Sequence, residues 1–231
     1  MNSQIGSRIN SVKADIRQIE TRHQRIPGDV CLVAVSKTKP IADILAAKAA
    51  GQRQFGESYV QEAVEKITTL ADKELIWHFI GPIQKNKTRL IAEHFDWVHS
   101  IERLVIAERL NAQRPKFLPP IQTCIQVNID NEASKAGVPI EQVQPLAESL
   151  AKLPQLNLRG LMTIPQACND QDEQRQRFAQ LRRQLEQLHQ LGLKLDTLSM
   201  GMSSDLESAI AEGATIVRIG TRIFGKRQFD K

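Results

Sequence analysis

The chain has 231 residues, 41% hydrophobic and 25% charged, enough apolar material to pack one large domain or two small ones and too much for a disordered chain. Basic residues exceed acidic ones by only five, the signs are interspersed along the helices, and aromatics reach only 4% with Tyr59 the sole tyrosine. That balance argues against nucleic acid, which needs a basic footprint or a stacking platform.

Ile5, Ile9, Val12, Ile16 and Ile19 recur at steps of four and three among charged residues, which predicts an amphipathic helix over residues 1–25 packed on the rest of the protein rather than a signal peptide. No apolar run approaches the ~20 residues of a membrane span. Cys31, Cys124 and Cys168 are widely separated and offer no C-x-x-C pair, so reduced thiols and a cytoplasmic location are expected.

After the first helix, short runs rich in Val, Ile, Phe and Leu begin near Val30, Arg53, Leu75, Trp97, Ile121, Leu158, Thr197 and Thr215, each followed by a segment of helical period. Eight such units predict a (β/α)8 TIM barrel; an open doubly wound sheet is the alternative that the same alternation fits. The punctuation agrees. Pro40 and Gly51 bracket the first crossover helix, Pro139 opens a stripe of Ile140, Val143, Leu146, Ala147 and Leu150, and Phe178, Leu181, Leu185 and Leu188 form another. The last stripe spans barely two heptads, so packing against the sheet is favoured over a coiled coil. No linker divides the chain, and one domain over 1–231 is expected. The irregular stretches 128–138 and 164–172 follow strands five and six, where barrel enzymes keep their rim loops.

Lys37 ends the most apolar strand, Val30 to Lys37, on the same face as Val33 and Val35. Two roles fit it: a lysine that snorkels to solvent, or an amine whose lowered pKa makes it nucleophilic toward a carbonyl. Ser199 to Glu207 reads as strand, glycine, serines, then helix. Ser204 and Glu207 have capping-box spacing, and the helix start is either an ordinary cap or an anion cradle. Arg218, inside the apolar strand Ile216 to Ile219, requires a buried partner: a carboxylate in a structural salt bridge, or a ring nitrogen. His78 lies on a strand directed into the barrel and fits a core histidine. Histidines and carboxylates show no metal-ligand spacing.

Taken together, Ala34-Val35-Ser36-Lys37-Thr38-Lys39, the stretch from Trp77 to Lys87, Ser199 to Asp205 and Val217 to Thr221 resemble the pyridoxal phosphate homeostasis protein family, from about Leu32 to Gly225. The resemblance implies a barrel like the N-terminal domain of alanine racemase, the PLP fold-type III barrel, without the C-terminal β domain. It also implies pyridoxal 5′-phosphate (PLP) held as a Schiff base on Lys37, and Arg218 near the pyridine nitrogen. Ser199, Met202, Ser203, Gly220 and Thr221 would surround the phosphate, largely through backbone amides, with Ser58 and His78 around the ring. Ser58 stands where family members usually carry asparagine. Ser134-Lys135-Ala136-Gly137 matches a further family segment and makes Lys135 a candidate secondary aldehyde-reactive amine.

The expected function is a carrier or buffer of PLP in vitamin B6 and amino-acid homeostasis, without substantial turnover and with apo PLP-dependent enzymes as recipients. A racemase needs a second base, usually a tyrosine from another domain; the chain has only Tyr59 and ends six residues past Gly225, so a monomeric carrier is favoured over a racemase of narrow range.

Overall fold

The computed structural model describes residues 2–130, 132 and 135–225. Ser134 of the Ser-Lys-Ala-Gly segment and the residues beyond Gly225 lie outside them. The helix expected at the N-terminus is α1 (Asn2–Arg22), and Ile5, Ile9, Val12, Ile16 and Ile19 are its buried stripe. Eight strands follow: β1 (Cys31–Val35), β2 (Gln54–Glu57), β3 (Ile76–Phe79), β4 (Trp97–Ile101), β5 (Ile121–Gln126), β6 (Leu156–Met162), β7 (Thr197–Ser199) and β8 (Ile216–Ile219). Each pairs in parallel with the next, and β8 pairs with β1, so the sheet closes into a barrel. Closure excludes the open doubly wound alternative. Every strand begins within two residues of its predicted start, because the turn residues and apolar runs that delimit strands are local signals.

The crossovers carry α2 (Ile41–Ala49), α3 (Val60–Leu70), α4 (Thr88–His94), α5 (Leu104–Gln113), α6 (Val143–Leu150), α7 (Gln171–Gln190), α8 (Leu206–Ala211) and α9 (Thr221–Phe224). α2 stops because Gly51 takes φ 81°, and the Gly51 and Gln52 N–H groups turn back to Lys48 O and Ala47 O in a Schellman closure. α7 starts where the Asp170 carboxylate accepts from the Asp172 and Glu173 N–H groups at 2.8 and 3.0 Å. Phe178, Leu181, Leu185 and Leu188 of α7 and Val143, Leu146, Ala147 and Leu150 of α6 are buried, as the two stripes predict.

The barrel carries two chemistries. Between strands and helices the core is apolar, with Phe55, Phe79, Phe95, Ile44, Ile91 and Leu110 fully buried. Inside the barrel, where large aliphatic side chains usually dominate, Gln54, His78, His99, Ser199 and Arg218 form a connected polar chain. No helix among the described residues is long and apolar enough to cross a membrane.

Candidate functional site

A cavity of about 340 Å³ opens where the strands end. It is lined by Val35, Lys37 and Lys39 from the end of β1, Ser58 after β2, Ile80 after β3, Ile164 after β6, Met202, Ser203 and Ser204 after β7, and Arg218, Gly220, Thr221 and Gly225 at the end of β8. The C-terminal face of a parallel barrel gathers such residues because each strand delivers its last side chain and its loop to one rim. β1 and β8 are neighbours through closure, with Val33 opposite Arg218, so residues far apart in sequence share one wall.

Lys37 reaches this cavity by the alternation seen in the sequence: Val33 and Val35 precede it on the inward face, and Val35 pairs with Gly56. Small residues make the room. A Cβ on Gly56 would stand 2.9 Å from the Val33 side chain, and one on Gly220 would stand 3.2 Å from Val35 O. A Cβ on Gly81 would fall 2.3 Å from Ser58 O, so the loop after β3 can pass behind Ser58 only as glycine. That contact is the structural content of the Ile-Gly-Pro run at residues 80–82.

Arg218 is buried, and no carboxylate among the described residues comes within ion-pair distance of it. The salt bridge considered from sequence gives way to two neutral acceptors: Nη1 donates to the Ser199 hydroxyl at 2.6 Å and Nη2 to Thr163 O at 2.9 Å. Burial pushes the guanidinium down to about 10, partly opposed by Asp205, which still leaves it cationic at neutral pH. Lys37, Lys39 and Arg218 all line the cavity.

Met202, Ser203, Gly220 and Thr221 also line the cavity. The expected Ser204–Glu207 capping box does not form. Glu207 is drawn to α1, where Arg22 donates to it and His23 lies 3.4 Å away, and α8 begins after Asp205. Asp205 instead accepts from the Met202 N–H at 2.6 Å, so this amide is engaged by the protein's own carboxylate.

Three residues sit elsewhere than expected. His78 lies at the other end of the barrel, where it lines an opening formed by strand starts: Cys31, Gln54, Trp97, Thr197 and Ile216. It stacks on Trp97 at 5.5 Å between centroids and is bonded to His99 and Gln54 at 2.9 and 2.6 Å. Burial drives His78 down to about 3, and burial, His78 and Arg218 hold His99 well below the usual histidine range, so both are neutral. The Ser199 side chain is fully buried between His99 (2.7 Å) and Arg218, and supports the arginine instead of lining the cavity. Lys135 is paired to Asp130, with Glu132 at 3.7 Å, and borders a separate surface depression with Glu102 and Gly137. Lys39 and Ile164 are lining residues that the sequence did not single out, and Ser204, read there as part of a helix cap or anion cradle, is another. No cluster of metal-ligating side chains occurs among the described residues.

A closed parallel barrel with a cavity at its C-terminal rim defines a (β/α)8 barrel whose candidate site lies on the face where such barrels bind ligands. The family model described as alanine racemase, N-terminal domain, matches residues 8–228. The chain is 56% identical over 227 residues to the pyridoxal phosphate homeostasis protein of Pseudomonas aeruginosa, covering 98% of this chain and 97% of that one. It is 50% identical over 230 residues to the protein of that name in Escherichia coli, covering 98% of each. It therefore belongs to the pyridoxal phosphate homeostasis protein family. Among solved structures, PipY of Synechococcus elongatus with PLP bound superposes with a TM-score of 0.84 at 40% identity, over 96% of this chain and all of that one. Alanine racemase from Corynebacterium glutamicum, at 16% identity and a TM-score of 0.74 over 98% of this chain and 62% of that one, shares the fold.

Proposed function

We propose that this chain binds PLP in the cavity at the C-terminal barrel mouth, holds it as a Schiff base on Lys37, and serves vitamin B6 and amino-acid homeostasis as a carrier or buffer. The observation that carries this reading is the convergence of Lys37 and Arg218 with Ser203, Gly220 and Thr221 on one cavity at the ends of β1, β7 and β8. A volume of about 340 Å³ lies at the lower end of the roughly 300–1,000 Å³ that small ligands and cofactors occupy. The names of the relatives and the PLP held by PipY support the same ligand here.

In this reading Ser203, Gly220 and Thr221 hold the phosphate with Met202, whose N–H is held by Asp205, beside it; Arg218 faces the pyridine nitrogen and Ser58 borders the ring. Lys37 Nζ, as the neutral amine, adds to the aldehyde carbon; a C=N bond forms, and the carbonyl oxygen departs as water with the amine's two protons. Bound PLP would supply an electron sink for carbanion chemistry. The charge on Arg218 opposes protonation of the ring nitrogen and weakens that sink, which favours a carrier over a racemase. Tyr59, the sole tyrosine, is half exposed and is not a lining residue, so it supplies no second base at the cavity. A monomer, with apo PLP-dependent enzymes as recipients, completes the reading.

The test is the visible absorbance of the protein mixed with PLP, followed by borohydride reduction and peptide mapping. A band that reduction fixes on Lys37 and that Lys37→Ala abolishes is expected; a protein that takes up no PLP would overturn the assignment. Racemisation of an amino acid at ~1 s⁻¹ or faster would overturn the carrier role.

A further inference from the structure

Behind the strand end that presents Lys37 lies a buried ion network that the cavity does not touch. Ser36 and Glu57 are fully buried and Lys66, from α3, nearly so. Lys66 Nζ donates to Glu57 Oε1 at 2.8 Å, to Ser36 O at 2.9 Å and to Glu62, one turn back on its own helix. The Ser36 hydroxyl donates to Glu57 Oε1 at 2.7 Å, and Glu62 Oε1 accepts from the Thr38 N–H at 2.6 Å. Lys37 is therefore flanked on both sides by backbone that this triad grips.

The gripped segment is a turn, closed by the Lys39 N–H on Ser36 O at 3.0 Å, with Thr38 at φ 64°. A β-branched residue in the left-handed region is strained and persists only where its surroundings over-determine it. The triad is also an expensive way to fill space. The Glu57 carboxylate and the Lys66 ammonium are desolvated, Glu57 Oε2 has no hydrogen-bond partner among the described residues, and burial raises the Glu57 pKa against the pull of Lys66. Apolar packing would stabilise α3 against β1 and β2 at least as well, but it could not hold the Thr38 N–H and Ser36 O in fixed directions.

We propose that Glu57, Glu62 and Lys66 are positioning residues that lock the Ser36–Thr38 turn in the left-handed conformation from which Lys37 reaches an aldehyde carbon in the barrel mouth. The proposal rests on the PLP reading above. It concerns orientation of the amine, not affinity for the phosphate, because none of the three residues lines the cavity.

The experiment compares two probes on the full chain: PLP, and pyridoxine 5′-phosphate, which carries an alcohol in place of the aldehyde and can only bind non-covalently. Glu62→Ala is the main variant, since Glu62 is partly exposed and its loss spares the buried pair; Lys66→Met is the second. Both should slow formation of the borohydride-fixed Lys37 adduct about tenfold or more, while the Kd for pyridoxine 5′-phosphate stays within about twofold. Glu62→Gln keeps an acceptor for the Thr38 N–H and should restore most of the rate. Adduct formation at the wild-type rate in Glu62→Ala and Lys66→Met would overturn the proposal, and so would equal losses for both probes, the mark of a general structural role. A wild-type protein that forms no adduct on Lys37 would instead sink the PLP reading, and this proposal with it.

Discussion

Arg218 Nη1 donates to the Ser199 hydroxyl at 2.6 Å, which joins the guanidinium to a chain of hydrogen bonds whose direction is set at its other end, where Gln54 Oε1 can only accept. With both histidines neutral, the His78 Nε2–H donates to Gln54 Oε1, the His99 Nε2–H to His78 Nδ1, and the Ser199 hydroxyl to His99 Nδ1. The chain runs one way from the ligand-side mouth to the opposite opening and requires two neutral histidines, in agreement with their depressed pKa values.

Removing the hinge of that chain should be costly. Ser199→Ala leaves an Arg218 N–H and His99 Nδ1 without their partner inside the barrel, a loss of about 1–3 kcal/mol. Urea unfolding at neutral pH measures it. Ser199→Thr, which keeps the hydroxyl, should lose less.

Stability should also fall on the acid side because of His78. Its folded pKa, about 3, lies below its ordinary 6.5, so the unfolded chain binds the extra proton first. The contribution is fully present above pH ~6.5 and is lost progressively as pH falls toward about 3. Unfolding free energies measured across this window for wild type and His78→Gln should show a shallower slope in the variant, by up to one proton. Parallel slopes would show that His78 is not the titrating group.

Gly81→Ala should strike fold and site together. The added Cβ would overlap the Ser58 backbone, which lies on the cavity rim, and overpacking of this kind costs about 1–3 kcal/mol. Thermal unfolding reads the first effect and PLP uptake the second. Gly192→Ala, which meets no atom within 4 Å but sits at φ 85°, separates backbone strain from collision.

The three thiols should differ in reactivity. Burial raises Cys124 to about 12 and Cys31 to about 11, so neither forms appreciable thiolate near pH 8. The Cys168 thiol is raised by its hydrogen bond to Glu173 but lies near the surface. Alkylation followed by mass spectrometry should label Cys168 first, Cys31 slowly, and Cys124 only on unfolding.

Strand count, strand starts and the inward face of Lys37 were legible in the sequence, because apolar runs, turn residues and period-two alternation are local properties of the chain. The same local signals put the segments 199–207 and 216–225 at the ends of strands seven and eight and marked Arg218, whereas Met202, Ser203, Gly220 and Thr221 were picked out by the family resemblance. Alternation tells which face a side chain takes but not its height along the barrel axis, which depends on the stagger between neighbouring strands. For that reason His78 and Ser199 faced inward as expected, yet His78 settled at the far opening and Ser199 beneath Arg218. Glu207 left its own helix for Arg22 of α1, and Lys66 crossed from α3 to Ser36, because partners 185 and 30 residues away are supplied only when the barrel closes. The sequence by itself determined the barrel and the lysine at its rim; closure decided which polar groups meet inside it, since burial without a partner is too costly for a guanidinium, an imidazole or a carboxylate to remain where local pattern alone would leave it.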